Sequence, residues 1–542
     1  MITQITILPP TSRQSRSYWQ LLGWCLGIVL GADQVVGQAT ITVDLVEEKT
    51  GQPLPCRVEL RDAKGRPQKA RGAVHYPPWS IVDGNFVFRG KAGDYRFDVS
   101  HGPQFARGGG GFTLDRDGEG TDVVRLPRYA DLAQQGWFAG DLLTAVPSDK
   151  LPLWLLAEDL HMAACIQASK AVASPDAPPS SASEEPSEVS EIGGAAKTAS
   201  AAPVIASRQI LPKERWLDGN SYYDDRVGSG LILHNWQPPA AVPEHVPSSR
   251  LLVMASQQGG THAEIARLWA ADTPMWLASG HIASIQILAE HVTRDGRTPL
   301  KTSAMYHPEP NQFQGARGPG RLVENLYWQV LETGLRIPPS AGSGVGRTTS
   351  PLGYNRVYVA QTSATVNPTS WWDGLRAGRS FVTNGPLLTV SINRRQPGYV
   401  FDMPGGSKLN LDVSLDLTVA DPVEYVDVIF NGEALYHARL DEHAKRGGKI
   451  PALEVTESGW LLVRVVTQYE ESYRMATTAP YYIQFDGQSR ISARACQMFL
   501  EWLDATIATQ QKTHPERARN STQFYSATRD FWLQRKQQAT VD

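Results

Sequence analysis

A chain of 542 residues with 41% apolar and 20% charged side chains can bury several cores, which excludes a wholly disordered polymer. Lys plus Arg number 52 against 55 for Asp plus Glu, a net charge of −3, so the chain lacks the basic excess that displaces counterions from a nucleic acid. The four cysteines, at positions 25, 56, 165 and 496, are too dispersed for a zinc ribbon or a dense disulfide framework; a single pairing among Cys56, Cys165 and Cys496 stays open.

Residues 1–38 carry Arg13 and Arg16, then the apolar run Tyr18 to Leu30, then small residues up to Ala39. That order is a signal peptide, so the mature chain is expected to be secreted or periplasmic, with no membrane span. Residues 39–129 alternate apolar and polar positions with turn signals between them, as in Ile41-Thr-Val-Asp-Leu-Val and Tyr95-Arg-Phe-Asp-Val. Period two predicts an N-terminal β-sandwich. The run Gly108 to Gly111 lacks the Lys-Ser/Thr of a phosphate loop and reads as a flexible turn.

Between 130 and 386 the period changes. Helical stretches (Pro152 to Leu160, His262 to Ala271, Arg321 to Gly334) alternate with short apolar runs (Met162 to Ile166, Leu231 to Leu233, Ile282 to Leu288, Arg356 to Ala360). This is the α/β signature. Residues 171–207, rich in Ala, Ser, Pro and Glu, bury too little to offset ordering entropy and are expected to form a disordered insertion. Alternation returns in 387–486, predicting a C-terminal β-sandwich, and 487–542 forms a helical tail with apolar spacing in Ile491 to Ile507 and Phe524 to Trp532.

Several strings lie in this order: Gly136-Trp-Phe-Ala-Gly-Asp141, Leu155-Leu-Ala-Glu-Asp-Leu-His161, Thr273-Pro-Met-Trp-Leu-Ala-Ser-Gly280, Gly334-Leu-Arg-Ile-Pro-Pro-Ser-Ala-Gly-Ser343, and Trp371-Trp-Asp-Gly-Leu-Arg-Ala-Gly-Arg-Ser-Phe-Val-Thr-Asn-Gly-Pro386. Together they resemble the carbaryl-hydrolase (CehA/McbA-type) metallohydrolases of the polymerase-and-histidinol-phosphatase (PHP) superfamily. The resemblance implies a multidomain α/β plus all-β chain. Its distorted PHP-like (β/α) barrel would be flanked by the two β-sandwiches, with a metal site at the mouth of the barrel.

In that family Gly-Asp is followed by x-His-x-His, because side chains at i and i+2 of a strand point the same way and can grip one ion. Here Leu143 and Ala145 occupy both histidine positions. The family's Asp-His at the end of the second strand is replaced by Gln167-Ala-Ser-Lys170, and its Gly-Ser/Thr-Asp loop by Gly342-Ser-Gly-Val345. The remaining candidate metal ligands are His234, His281, Glu290 and His291, near strand-like runs. Glu158 and Asp159 are expected to make local polar contacts, His161 to pack, and His262 with Glu264 to open a helix. Cys165 reads as a core residue, and Trp371-Trp372 as packing a helix onto the barrel.

Three functions follow. The first is a catalytically degenerate PHP-type binding or structural module with no cofactor. The second is an active hydrolase of an ester, carbamate or phosphate, using a divalent zinc or manganese ion on relocated ligands. The third is a carbohydrate-binding surface protein. The expected partner is a small molecule or glycan, not a nucleic acid.

Overall fold

The computed structural model describes residues 5–7, 39–115, 118–168, 211–239, 242–296, 313–361, 366–445 and 447–542. The expected signal peptide, apart from Ile5–Ile7, and the expected insertion at 171–207 lie outside the described residues.

The alternating N-terminal segment forms two sheets. One joins Glu119–Leu126, Ala39–Glu47 and Asn85–Gly90; the other is built on Pro55–Asp62, flanked by Trp79–Asp83 and Gly93–Ser100. Val43, Leu45, Val58, Leu60, Phe86 and Phe97 from the two sheets bury each other in a core of their own. The glycine run is not a turn. Gly108–Leu114 is a strand whose four glycines pair with the backbone from Val99 back to Arg96, so ladder hydrogen bonds outweigh the turn preference of glycine.

The strands of 137–383 lie in a mixed sheet, in the order Pro339–Ala341, Ile282–Leu288, His262–Ile265, Leu231–His234, Trp216–Asp224, Met162–Ala168, Trp137–Thr144, Arg356–Ala360 and Ser380–Thr383. The fold is thus mixed α/β and rich in strands. No closed barrel of strand ladders forms among the described residues. The segment after the Pro339–Ala341 strand is joined to the end of the interior Trp137–Thr144 strand by backbone bonds from Gly344 to Leu143 (2.8 Å) and from Ala145 to Val345 (2.8 Å). The Ser380–Thr383 strand continues into Met475–Thr478 and Gly459–Thr467, so strands of the C-terminal β segment extend the same sheet.

His262–Ile265 is a strand where the sequence suggested a helix. Its register sets His262 against His234 and Glu264 against Ile232 and Ser284, and all four of its residues are buried. The alternation His262/Glu264 against Ala263/Ile265 puts the polar pair on one face, and the hydrogen bonds of that face outweigh the helix propensity of Ala and Glu.

Asn367 caps the Pro368–Arg376 helix by accepting from Ser370 N (2.8 Å). That helix delivers Trp371, fully buried, whose indole N–H donates to Phe138 O (3.0 Å). The tryptophan pair does pack a helix onto the sheet. It also explains Gly140: a Cβ there would lie 2.6 Å from the Trp371 ring. Gly140→Ala is therefore expected to destabilise the chain by about 1–3 kcal/mol through overpacking. A urea midpoint equal to that of the parent would contradict this contact.

The tail is helical as expected: Ala493–Thr513, Pro515–Asn520 and Thr522–Gln537. Ser492 caps the first helix. Trp532 stacks on Phe499 (4.7 Å) and donates to Pro274 O (3.1 Å), while Arg517 pairs with buried Asp272 (2.8 Å). These contacts bind the tail to the Thr273–Ala278 helix rather than leaving it as an appendage.

Candidate functional site

One face of the central sheet carries a buried polar hub on Glu264. Its Oε1 accepts from the Ser284 hydroxyl (2.8 Å) and the Ser340 hydroxyl; its Oε2 accepts from Gln286 Nε2 (2.6 Å) and lies 3.1 Å from His234 Nε2. With a carboxyl acceptor on that side, His234 donates through Nε2 and receives the Ser221 hydroxyl, 2.8 Å away, at Nδ1. The Ser284 proton is committed to Glu264, so His262 Nε2, 2.7 Å away, donates to the Ser284 oxygen. The ring of Trp372 lies across both imidazoles, at centroid distances of 5.0 and 4.6 Å. Burial holds His262 well below the usual histidine range, with the neighbouring His234 acting in the same direction.

Beside this hub the face turns apolar. Leu143 packs with Ile166, Tyr223, Ile232 and Ala266, and Ala145 lies against them. Gly342 separates the two zones, since a Cβ there would fall 2.4 Å from Leu143 Cβ and 3.1 Å from Gln286 Nε2. Asp141 is engaged by backbone amides. Its carboxylate accepts from the backbone N–H groups of Leu143 (3.1 Å), Ser343 (2.9 Å) and Gly353 (2.7 Å). Complete burial outweighs these bonds and pushes Asp141 up to about 6.

The four residues expected to hold a metal do not come together. His234 is turned into the Glu264 hub. His281 is exposed at the start of the Ile282–Leu288 strand. Glu290, beyond the far end of that strand, is gripped by Arg267 and by Arg347 Nε (3.2 Å), and it accepts from the Tyr223 hydroxyl (3.3 Å). His291 lies 3.2 Å from Ile287 O and edge-on to Trp269, and burial lowers it to about 4. Among the described residues no group of three or more His, Cys, Asp or Glu side chains is placed to hold a metal ion. The donor set does not fit a divalent metal: the carboxylates already accept from several donors, and the imidazoles are dispersed.

Glu158 and Asp159 make long-range rather than local contacts. Glu158 receives Arg57 from the N-terminal sandwich (2.5 Å), and Asp159, at φ 51°, receives Gln104 (2.5 Å) and Arg215 (2.8 Å). His161 packs edge-on against Phe138. Cys56, Cys165 and Cys496 are free and buried. Burial, with help from Asp218 and Asp141, pushes the Cys165 thiol up to about 12, which keeps it protonated and inert. None of the described tryptophans is exposed; Trp216 and Trp328 are half-buried and the others buried. The described tryptophans thus serve mainly the cores.

A cavity of about 480 Å³ opens where the N-terminal sandwich, the central sheet and the C-terminal strands meet. Its charged lining is Arg57, Arg107, Arg356 and Arg474 with Glu158 and Asp421. Sequence reasoning missed this set, because its members are scattered along the chain with no local motif. The string Leu155 to His161 held the one usable signal, Glu158, a buried acid that implied a cationic partner elsewhere.

No family model matches the chain, and no curated protein matches it. Among solved structures, the Bacillus anthracis TIE protein aligns at 15% identity over 21% of this chain and 20% of its own, with a TM-score of 0.13. A Parabacteroides merdae β-glucuronidase aligns at 9% identity over 80% of this chain and 61% of its own, with a TM-score of 0.19. The chain thus spans about a fifth and about three fifths of these proteins, and scores this low carry no structural argument.

Proposed function

We propose that the chain is an exported, catalytically degenerate PHP-type protein that keeps its sheet scaffold and works as a binding or structural module. The observation that carries this is the apolar filling of the sheet face around Leu143. Leu143 and Ala145 stand where the resemblance asks for two histidines, and they pack with Ile166, Tyr223, Ile232 and Ala266. Glu264, in the polar hub, already accepts from Ser284, Ser340, Gln286 and His234, which leaves no lone pair for an ion.

Relocated ligands offer no substitute. His281 and Glu290 flank a seven-residue strand, a separation of about 20 Å at roughly 3.3 Å per residue. Ligand bonds of about 2 Å cannot bridge it. Elemental analysis of the purified full chain is expected to find zinc, manganese and iron well below stoichiometry. One or more tightly held ions per chain after dialysis would overturn this function in favour of a metallohydrolase.

A further inference from the structure

We propose that the cleft between the N-terminal sandwich, the central sheet and the C-terminal strands is a binding site for a small organic oxyanion, a carboxylate or a phosphate, anchored by Arg107. This goes beyond the binding-module proposal and does not depend on it, since a metal near the Glu264 hub would leave the cleft as it is.

The cleft is built as a cationic frame with one open member. Arg57 is fixed by Glu158 (2.5 Å) and by Ser100 Oγ (2.9 Å). Arg474 is fixed by Asp421 (2.5 Å) and by Asn384 O (2.9 Å). Arg356 donates to the carbonyls of Gly353 (2.7 Å) and Glu158 (3.0 Å). Arg107 makes no hydrogen bond or ion pair among the described residues, and its side chain lines the cavity. Four arginines against two acids leave the lining two positive charges in excess.

Arg107 is solvent-accessible yet crowded by protein. That crowding, followed by repulsion from Arg474, Arg57 and Arg294, lowers its guanidinium to about 10, and Asp421 offsets only part of the loss. It therefore stays charged at neutral pH, held near like charges with no counter-ion of its own. An oxyanion relieves that repulsion, and a planar guanidinium offers it a bidentate fork. Tyr129 also lines the cavity, and its hydroxyl has no partner among the described residues. Pro103, Pro351 and Pro422 give the rest of the ligand an apolar surface, and the volume suits a small molecule.

Isothermal titration of the full chain at low salt with inorganic phosphate, benzoate and neutral benzamide tests this. At least one anion is expected to bind and benzamide is not. Binding of phosphate alone, of benzoate alone or of both assigns the oxyanion class. Arg107→Gln is expected to weaken binding at least tenfold while its urea midpoint matches or exceeds the parent's, because the side chain supports no fold contact. Arg336→Gln, outside the cleft, serves as the control and is expected to bind as the parent does. No heat with either anion, or equal affinity in Arg107→Gln and parent, would overturn the site.

Discussion

Replacing Glu264 with alanine should cost the fold roughly 3–5 kcal/mol, the range for removing one partner of a buried, fully engaged charged or polar cluster. The residue is fully buried and takes hydrogen bonds from four side chains on three other strands, so its loss orphans donors at Ser284, Ser340, Gln286 and His234 together. A cavity adds to the desolvation cost, because Gly342 is already closely packed against both Leu143 and Gln286 and the sheet cannot collapse freely. Glu264→Gln should be much milder, about 1–2 kcal/mol. Its oxygen can serve Gln286 and His234, while the serine hydroxyls rotate to accept from the new amide. Urea unfolding of the three proteins with and without a chelator separates a packing role from a metal role. If Glu264→Ala keeps the parent's midpoint, the hub contributes nothing to stability. If the parent's midpoint falls on chelation, an ion is part of the fold.

Much of the architecture was legible because side-chain period survives as local pattern. The runs at Met162, Leu231, Ile282 and Arg356 became strands, and the tail became helices. The failures share a cause. His262 to Ala271 contains good helix formers, and only pairing with Leu231–His234 and Ile282–Leu288 makes its first four residues a strand. The glycine run read as a turn by composition, yet it sits in a ladder against Gly93–Ser100. Candidate ligands were legible only singly. Whether His281 and Glu290 converge depends on the length of the strand between them, and whether Glu290 is free depends on Arg267 and Arg347, which no motif links to it. The apolar residues at 143 and 145 were the most informative sequence feature, since they pack into the face itself. The arginine cleft draws its charged lining from six well-separated positions, 57, 107, 158, 356, 421 and 474, so nothing in a window of sequence could have announced it.

Acid should destabilise the protein well before its carboxylates are exhausted. His161 and His291 are both buried, and burial lowers each from 6.5 to about 4; for His161 the positive charge of Arg215 acts in the same direction. Between those values the unfolded chain binds more protons than the folded one, so stability is complete above pH 6.5 and declines as pH falls toward 4. Each site forfeits roughly 3 kcal/mol over that window, at 1.36 kcal/mol per unit. His101 and His262, also lowered by burial, push the same way. Asp141 opposes them. Its folded value of about 6 exceeds the 3.8 of the exposed group, so the folded chain gains on protonation, by roughly 3 kcal/mol as pH falls from 6 to 4. The histidines outnumber the one opposing acid, so the net effect is loss. Asp159, held low by Arg215 and by the His101 and His161 imidazoles despite its burial, gives up its stability only below about pH 4 and so lies outside this window. Urea midpoints measured from pH 8 to pH 4.5 should stay level down to about 6.5 and then drop. The drop should be shallower in His291→Gln, which cannot take up the proton, and steeper in Asp141→Asn if that variant folds. A midpoint that holds or rises down to pH 4.5 would mean that these imidazoles reach water or a counter-charge in the folded chain, contrary to their packing against Phe138 and Trp269.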